Sequence, residues 1–246
     1  MKLDVATLER ATLSAVPPES LDESLPGWLV PLDSGTVGRA RSAVPLSHEA
    51  PTLDAVAAVV DRYRQNGLTP ALRLPESHTF AEASDWLVAQ GFRKRQPTHV
   101  MVAALDGLVL PVAAAMHAIR LDVRPDDAWK AVFLGEGFDP VDGACRVKIL
   151  ARALESRYAS IRAGQAAVAC GMASLGHGWL GIHGMRTLGP YRRQGMASAL
   201  MLAMVNAARE VGLQRAFLQV DGANQSAERL YERMGFKRAW TYAYWG

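Results

Sequence analysis

Residues 192–197 read Arg-Arg-Gln-Gly-Met-Ala and lie where a predicted strand leads into a long predicted helix. The first turn of a helix leaves several backbone N–H groups unpaired at the positive end of the helix dipole, where they can bind a phosphate. Gly195 lets a ligand approach without a β-carbon in the way, and Arg192 and Arg193 offer charge-assisted hydrogen bonds. The segment predicts a phosphate-binding turn, and its alternative is a solvated basic turn.

A second glycine pattern, GxGxxG at residues 176–181, does not predict dinucleotide binding. That fingerprint needs a strand before it, a helix after it and an acidic residue about 20 positions further on. Here the pattern joins two predicted strands, and residues 198–204 contain no carboxylate. We therefore expect no nicotinamide or flavin cofactor.

A second ordered motif follows the phosphate-binding turn, and it comprises Asn224, Ala227, Leu230, Tyr231, Gly235 and Phe236. The strand, the R-x-x-G-x-A turn, the helix and this motif resemble the acyl-CoA site of the GNAT superfamily of N-acyltransferases. The resemblance covers residues 179–246 well and reaches the first half only through a weak internal repeat. The whole chain also resembles bacterial tandem GNAT proteins, in which a degenerate amino-terminal copy precedes a working one.

The resemblance implies acetyl-CoA as the acyl donor. In this family the strand before the turn splays from its neighbour and pairs through its backbone with the pantetheine arm, while the pyrophosphate lies on the amides of the turn. Asn224 resembles the family's asparagine near the pantetheine arm, and Tyr231 resembles its tyrosine near the thioester sulfur. The implied binding residues are Met185, Arg186 and Thr187 on the strand, Arg192, Arg193, Gln194, Gly195, Met196 and Ala197 in the turn, and Asn224 and Tyr231 after it.

Direct attack of a primary amine on the thioester makes two demands that these residue types can meet. Negative charge grows on the carbonyl oxygen, and a strand N–H can stabilise it. The leaving thiolate needs a proton, and the Tyr231 hydroxyl, with an ordinary pKa of about 10, is the candidate general acid. The alternative is that Tyr231 is a core tyrosine.

The general base is less well defined. An ammonium group with a pKa of about 10 must lose a proton before it attacks. Many family members carry Glu on the strand at the position of Gly181, so that assignment does not carry over to this sequence. His183 lies two residues further on the same strand face and could act through a water. Asp221, at the end of the next strand, is the second candidate and Glu136 the third; structural roles remain open for all three.

Composition and charge exclude several classes of protein. The chain has 246 residues, of which 50% are apolar and 21% charged, as expected of a globular protein with a core. Its net charge of +3 divides into −3 over residues 1–113 (10 basic, 13 acidic) and +6 over residues 114–246 (17 basic, 11 acidic). The basic half favours an anionic ligand, but no basic run interleaved with aromatic residues predicts nucleic-acid binding.

The cysteines and the amino terminus favour a reduced, cytoplasmic setting. Cys145 and Cys170 cannot form a disulfide framework, and the first residues do not resemble a signal peptide. The apolar stretch 100–119 contains Asp106 and Pro111, so we expect two strands there and no membrane span. No His, Cys or carboxylate cluster has the spacing of a metal site.

The order of predicted elements indicates a mixed α/β fold with a mixed sheet. Helical periodicity or length predicts helices at residues 53–63, 80–90, 147–158 and 196–211, and strands are predicted at 36–44, 165–174, 179–188 and 217–220.

An internal repeat aligns residues 83–94 with residues 227–238, an offset of 227 − 83 = 144. Ala, Gly-Phe and the basic pair coincide, and Leu87 stands where the second copy has Tyr231. We therefore predict two GNAT-like domains in tandem, a degenerate one at residues 1–113 and a catalytic one at residues 114–246. Chance similarity of two helices that end at glycine is the alternative.

These observations predict an N-acetyltransferase that acts on a small-molecule amine or on a peptide or protein amine. The rival interpretations are a catalytically silent acyl-CoA-binding sensor or scaffold and a module that recognises peptides. No nucleic-acid or membrane partner is expected. The sequence does not identify the acceptor, the acyl-chain preference or the oligomeric state.

Overall fold

The computed structural model describes residues 4–110, 118–135 and 138–246. The helices within these ranges are α1 (Val5–Ala15), α2 (Leu53–Gln65), α3 (Ala81–Ala89), α4 (Asp127–Leu134), α5 (Pro140–Arg152), α6 (Met196–Glu210) and α7 (Gln225–Arg233). The strands are β1 (Ser20–Asp22), β2 (Trp28–Leu32), β3 (Val44–Pro45), β4 (Leu72–Pro75), β5 (Lys94–Ala104), β6 (Ile119–Asp122), β7 (Ser156–Ala163), β8 (Ala166–Gly176), β9 (Trp179–Thr187), β10 (Arg215–Asp221) and β11 (Lys237–Trp245).

One eight-stranded sheet joins both halves of the chain, with the strand order β4-β11-β5-β10-β9-β8-β7-β6. A small second sheet has the order β1-β2-β3. Strands β9 and β10 run parallel, whereas their other neighbours in the large sheet are antiparallel. The predicted mixed α/β fold with a mixed sheet is confirmed.

The two halves exchange strands at the centre of this sheet. First-half strand β5 lies between β10 and β11 of the second half, and β11 lies between the first-half strands β4 and β5. The predicted domain boundary at residues 113/114 falls within 111–117, outside the described residues, and stays a prediction.

Alternation along β9 assigns its side chains to opposite faces of the sheet. Leu180 and Ile182 pack with buried residues of α6. Trp179 lies on the other face, where it packs against Leu8 of α1 and donates a hydrogen bond from Nε1 to Thr7 Oγ1 at 3.1 Å. A first-half helix therefore covers the sheet face that also carries His183.

Two local predictions were wrong. The predicted helix at 147–158 ends at Arg152, and Ser156 begins β7, whose backbone pairs with β6 on one side and β8 on the other. The predicted strand at 36–44 is a 3-10 turn at Gly38–Ala40 followed by the short β3. Of the two strands predicted within 100–119, the first is present as the end of β5, which stops at Ala104. Residues 111–117 lie outside the described residues, so the second strand stays a prediction. No helix in the described ranges is long and apolar enough to cross a membrane.

Candidate active site

A cleft opens where β9 and β10 stop pairing. Their parallel ladder has three positions and ends at Leu218↔Ile182, although β9 continues to Thr187 and β10 to Asp221. The strands separate beyond this point and leave a cavity of about 240 Å³. Its lining includes His183, Met185, Gln219, Asp221, Asn224 and Tyr231. We call this cavity the cleft.

A bulge in β9 forms one wall of the cleft. The register with β8 runs from His183↔Met172 to Arg186↔Cys170, so Gly184 and Met185 oppose a single residue. Gly184 has φ +60°, and a β-carbon built on it would lie 2.8 Å from the Phe133 ring. A bulge leaves backbone groups outside the ladder, so this part of β9 can offer hydrogen bonds to a ligand.

The turn before α6 is open in the way that phosphate binding requires. Gly195 is the N-cap with φ +78°, and no side chain caps the helix. The amides of residues 193–198 donate no hydrogen bond to any residue in the described ranges. A β-carbon built on Gly195 would meet no atom within 4 Å. These free N–H groups beside open space fit a pyrophosphate.

Local hydrogen bonds hold this turn in shape. Arg192 Nε donates to the Thr187 carbonyl at 3.2 Å, and Gln194 Nε2 donates to the Pro190 carbonyl at 2.9 Å. Arg193 has φ +60° and is exposed. Met196 is buried in the core between the sheet and α6 and so anchors the first turn of the helix. Ala197 adds only a small side chain to that turn. The six residues predicted to bind phosphate therefore form the turn that leads into α6 and the first two residues of that helix.

The repeat offset of 144 relates α6 to α2 of the first half, and the amino-terminal end of α2 is not open in this way. Thr52 is the N-cap of α2, and its side chain accepts a hydrogen bond from the Ala55 amide at 3.2 Å. A cap of this kind occupies one of the amides that an anion would need. The two helices therefore differ in the feature that makes α6 a candidate phosphate site.

Of the three strand residues predicted to contact the pantetheine arm, Met185 lines the cleft. Arg186 instead donates from Nη1 to the Leu134 carbonyl at 2.7 Å, and its guanidinium lies 5.5 Å from the Phe138 ring centre. Thr187 ends β9, and its carbonyl accepts the bond from Arg192. The contacts of Arg186 and Thr187 with a ligand stay a prediction.

Asn224 and Tyr231 lie on opposite ends of α7 and both line the cleft. Asn224 is the N-cap, and its Oδ1 accepts from the Ala227 amide at 3.1 Å, which leaves its Nδ2 group for other partners. The Tyr231 ring packs against Phe236 with ring centres 6.1 Å apart. Burial raises the pKa of Tyr231 to about 12, so the hydroxyl stays protonated at neutral pH.

His183 is buried, and both ring nitrogens have partners. Arg39 Nη1 lies 3.2 Å from Nδ1, and Ser174 Oγ lies 3.1 Å from Nε2. A guanidinium can only donate, so Nδ1 accepts the bond from Arg39. Nε2 therefore carries the ring proton and donates a hydrogen bond to Ser174 Oγ. Burial, together with the charge of Arg39, holds the pKa of His183 well below its usual value. The neutral ring has no free lone pair, and this geometry favours a positioning role over that of a base.

The space that a glutamate would need at position 181 is occupied. A β-carbon on Gly181 would lie 2.3 Å from Ser174 Oγ, 2.5 Å from His183 Nε2 and 2.9 Å from the Phe217 ring. The pair Ser174–His183 therefore fills the region where many GNAT proteins carry a carboxylate.

Asp221 is the one carboxylate among the described residues that line the cleft. Its Oδ1 accepts from the Ala223 amide at 2.9 Å, and its Oδ2 accepts from Gln96 Nε2 at 3.2 Å. Each carboxylate oxygen can accept a further bond, so Asp221 can still hold a water. The third candidate base, Glu136, lies outside the described residues.

Sequence reasoning missed Arg39, which the first half contributes to the cleft. Its Nη1 contacts His183 and also donates to Gln219 Oε1 at 3.1 Å. Arg39 lies in the 3-10 turn of the first half, and no motif or spacing marks it, because its partners belong to β9 and β10. No group of His, Cys, Asp or Glu within the described ranges is arranged to hold a metal ion.

Solved structures with the same fold include GNAT proteins. A GCN5-related N-acetyltransferase from Kribbella flavida matches with a TM-score of 0.71 at 18% identity, over 100% of this chain and 96% of that one. A tandem GNAT protein from the clavulanic acid biosynthesis pathway matches with a TM-score of 0.62 at 12% identity, over 99% and 95%. A conserved protein from Staphylococcus epidermidis, described as functionally unknown, has a TM-score of 0.65 at 12% identity, over 94% of each chain. These likenesses show the fold.

Among curated proteins, the uncharacterized N-acetyltransferase YycN of Bacillus subtilis is 42% identical over 48 residues, which are 20% of this chain. The match spans about a third of that protein's length (31%). The family model described as "Probable histone acetyltransferase Rv0428c C-terminal" covers residues 3–245. Since that model spans nearly the whole sequence, the chain belongs to this family of GNAT acetyltransferases.

Proposed function

We propose that this protein transfers an acetyl group from acetyl-CoA to a primary amine by direct attack in the cleft between β9 and β10. The observation that carries the proposal is the row of uncapped amides at residues 193–198, on the segment that follows β9, the strand that forms one wall of the cleft lined by Tyr231. Acetyl-CoA would supply an acetyl group activated as a thioester. Donor specificity, acceptor and cytoplasmic location are all part of the proposal.

The turn at residues 192–197 would bind the pyrophosphate through backbone N–H groups, with Arg193 adding charge. Asn224, through Nδ2, and the bulged backbone of β9 would hold the pantetheine arm. A strand N–H in the bulge would donate to the thioester oxygen as negative charge develops there. Binding by fixed backbone donors orients the thioester without reorganisation during the reaction.

Two side chains of the cleft would move protons. Asp221 would take a proton from the ammonium group of the acceptor through a water, because its carboxylate faces the cleft and retains free lone pairs. Tyr231 would donate its hydroxyl proton to the departing thiolate, since burial keeps that hydroxyl protonated. His183 would position Ser174 and Arg39 around the acceptor without exchanging a proton.

The first half is proposed to be catalytically silent. Its α2 is capped by Thr52, and the residue aligned with Tyr231 is Leu87, which is fully buried and has no proton to give. The first half would contribute Arg39 to the active site, and its helix α1 would cover the sheet face that carries His183.

Thiol release from acetyl-CoA, measured with a panel of primary amines, tests the proposal. We expect release that depends on both acetyl-CoA and an amine, together with mass-spectrometric detection of the acetylated amine. A protein that binds acetyl-CoA but releases no thiol with any amine would support the silent sensor or scaffold instead.

A further inference from the structure

A second cavity, of about 420 Å³, lies beside the cleft, and four arginines line it. They are Arg39, Arg41, Arg95 and Arg146, and no Asp or Glu among the described residues belongs to the lining. We call this space the arginine cavity. It is formed by the 3-10 turn of the first half, the segment before β4, the start of β5 and the end of β11.

The arginine cavity and the cleft meet at two points. Arg39 lines both, and its Nη1 binds His183 and Gln219 of the cleft. Gln96 lines the arginine cavity and donates to Asp221 of the cleft at 3.2 Å. The two cavities are therefore neighbours, with Arg39 in the wall of both and the Gln96–Asp221 hydrogen bond joining their walls.

Two of the four arginines form no ion pair with a described Asp or Glu, and Gly246 lies beside one of them, Arg95, in the same lining. Arg146 pairs with Asp142 at 2.9 Å, and Arg39 is held by His183 and Gln219. Arg41 and Arg95 form no ion pair within the described ranges; Arg41 is half-buried, whereas Arg95 is exposed. A guanidinium that has lost part of its water and lacks a counter-ion gains strongly from a carboxylate or phosphate, which it can bind through two parallel hydrogen bonds.

The backbone beside Arg95 is irregular in a way that suits a binding site. Gln96 has φ +49°, and the pairing of β5 with β11 shifts register between Tyr242 and Tyr244. Bulges next to active sites commonly redirect a side chain, and a strained non-glycine residue persists only where its surroundings hold it.

We propose that the acceptor amine carries an anionic oxyacid group, a carboxylate or a phosphate, which Arg41 and Arg95 bind in the arginine cavity. This inference rests on the proposed acetyl transfer and names its acceptor class. The amine enters the cleft at Asp221 while the anionic group remains among the arginines. A lysine-rich peptide would meet like charge on this path and is disfavoured as the acceptor.

Matched pairs of acceptors test the inference on the full chain. Each pair differs only in the anionic group: aminohexanoate against aminohexanol, aminobutyrate against aminobutanol, and phosphoethanolamine against ethanolamine. The spacer lengths sample the reach from the cleft to the arginines, and the two chemistries separate carboxylate from phosphate. The measured quantity is the selectivity ratio, kcat/KM of the anionic amine divided by kcat/KM of its uncharged partner. A lysine-containing peptide amide is assayed beside them.

We expect a selectivity ratio of about tenfold or more for at least one pair, expressed mainly in KM, because hydrogen bonds to charged groups are among the stronger ones. The double variant Arg41→Gln/Arg95→Gln should bring the ratio close to one. Arg64→Gln is the control and should keep the wild-type ratio, because Arg64 is an exposed helix residue whose one ion pair among the described residues is with Asp61. Added salt should lower the wild-type ratio.

A binding measurement separates the possible failures. Calorimetry with acetyl-CoA shows whether each variant is folded and retains the donor site, and calorimetry with inorganic phosphate on CoA-saturated protein probes the arginine cavity directly. Acetyl-CoA binding with turnover but equal rates within every pair, or a preference for the lysine peptide, overturns the acceptor assignment alone. A chain that neither binds acetyl-CoA nor releases thiol overturns the proposed function, and this inference with it.

Discussion

Thr98 and Tyr242 are direct partners where β5 and β11 pair in antiparallel fashion, and they are 242 − 98 = 144 positions apart. This separation equals the offset of the sequence repeat. The same offset converts the pair Lys94↔Trp245 into the pair Met101↔Arg238. Position 94 corresponds to position 238 (94 + 144), and position 245 corresponds to position 101 (245 − 144). The two strands therefore meet as symmetry-related copies would, with Thr98 and Tyr242 beside the pseudo-twofold axis. This register supports the repeat and explains how each half receives its neighbour's last strand.

The strand exchange predicts that residues 114–246 will not form a soluble, monodisperse protein alone. Without residues 1–113, β10 would present an unpaired edge and β11 would lose both neighbours, and exposed edges promote aggregation. Size-exclusion chromatography and circular dichroism provide the measurement. Co-expression of the two halves as separate chains is the control and should restore a soluble complex. A monodisperse and fully active fragment would also remove the proposed role of the first half.

Tyr231→Phe should lower kcat by roughly 10²-fold or more while the Kd for acetyl-CoA stays within about twofold, because the ring remains and only the proton donor is lost. Stopped assays of thiol release and calorimetry measure the two quantities. Tyr63→Phe is the control, since that hydroxyl donates to the Pro31 carbonyl in the first half. It should lower stability by about 1 kcal/mol without changing kcat. Unchanged turnover in the Tyr231 variant removes that residue from the mechanism.

Gly195→Glu should abolish measurable acetyl-CoA binding, because the side chain brings bulk and like charge to the proposed pyrophosphate site. The other end of α6 offers a matched control. Gly212 also has φ +78° and no atom within 4 Å of a built β-carbon, so Gly212→Glu imposes the same backbone strain of about 1–2 kcal/mol away from the turn. Calorimetry should show wild-type affinity for the control. Equal affinities in both variants would place the phosphate site elsewhere.

Asp221→Asn should reduce kcat/KM by on the order of 10²-fold at neutral pH, and the deficit should shrink as the pH approaches the pKa of the acceptor amine. At high pH the amine is already deprotonated and no base is needed. A pH profile of wild type and variant from neutral to alkaline conditions measures this convergence. A constant deficit at every pH would indicate that Asp221 acts by holding Gln96 and the local backbone.

His183 should make the folded protein less stable as the solution becomes acidic. Its pKa is held below the unfolded value of about 6.5, so the unfolded chain binds the extra proton first. The contribution of His183 to the free energy of unfolding is therefore at its maximum above about pH 6.5. As the pH drops below that value, the free energy of unfolding decreases by up to about 1.4 kcal/mol per pH unit. Urea unfolding of wild type and His183→Gln between neutral and mildly acidic pH measures the difference. The variant should show the shallower decline, and parallel curves would contradict the buried, neutral imidazole.

Much of the second half was predictable because its signals are local. The turn at 192–197, the helix α6 and the Asn224 cap of α7 depend on residues close together in the sequence. Of these predicted residues, the structure places Asn224 and Tyr231 in the lining of the cleft. The roles assigned to them are still predictions. The helix predicted at 147–158 shows the limit of periodicity: it ends at Arg152, and the residues from Ser156 onward belong to β7, which is fixed by the strands on either side of it.

The sequence by itself determined the family resemblance, the turn predicted to bind phosphate and the repeat with its offset of 144. Only the tertiary structure decided that the two halves share one sheet, that Arg39 reaches His183, and that an arginine-lined cavity adjoins the cleft. The reason is physical: helix caps and turns arise from interactions a few residues apart, whereas strand partners and the charge around a cleft depend on segments more than a hundred residues apart. No local sequence pattern indicates which distant segment will pair with the edge of a given strand.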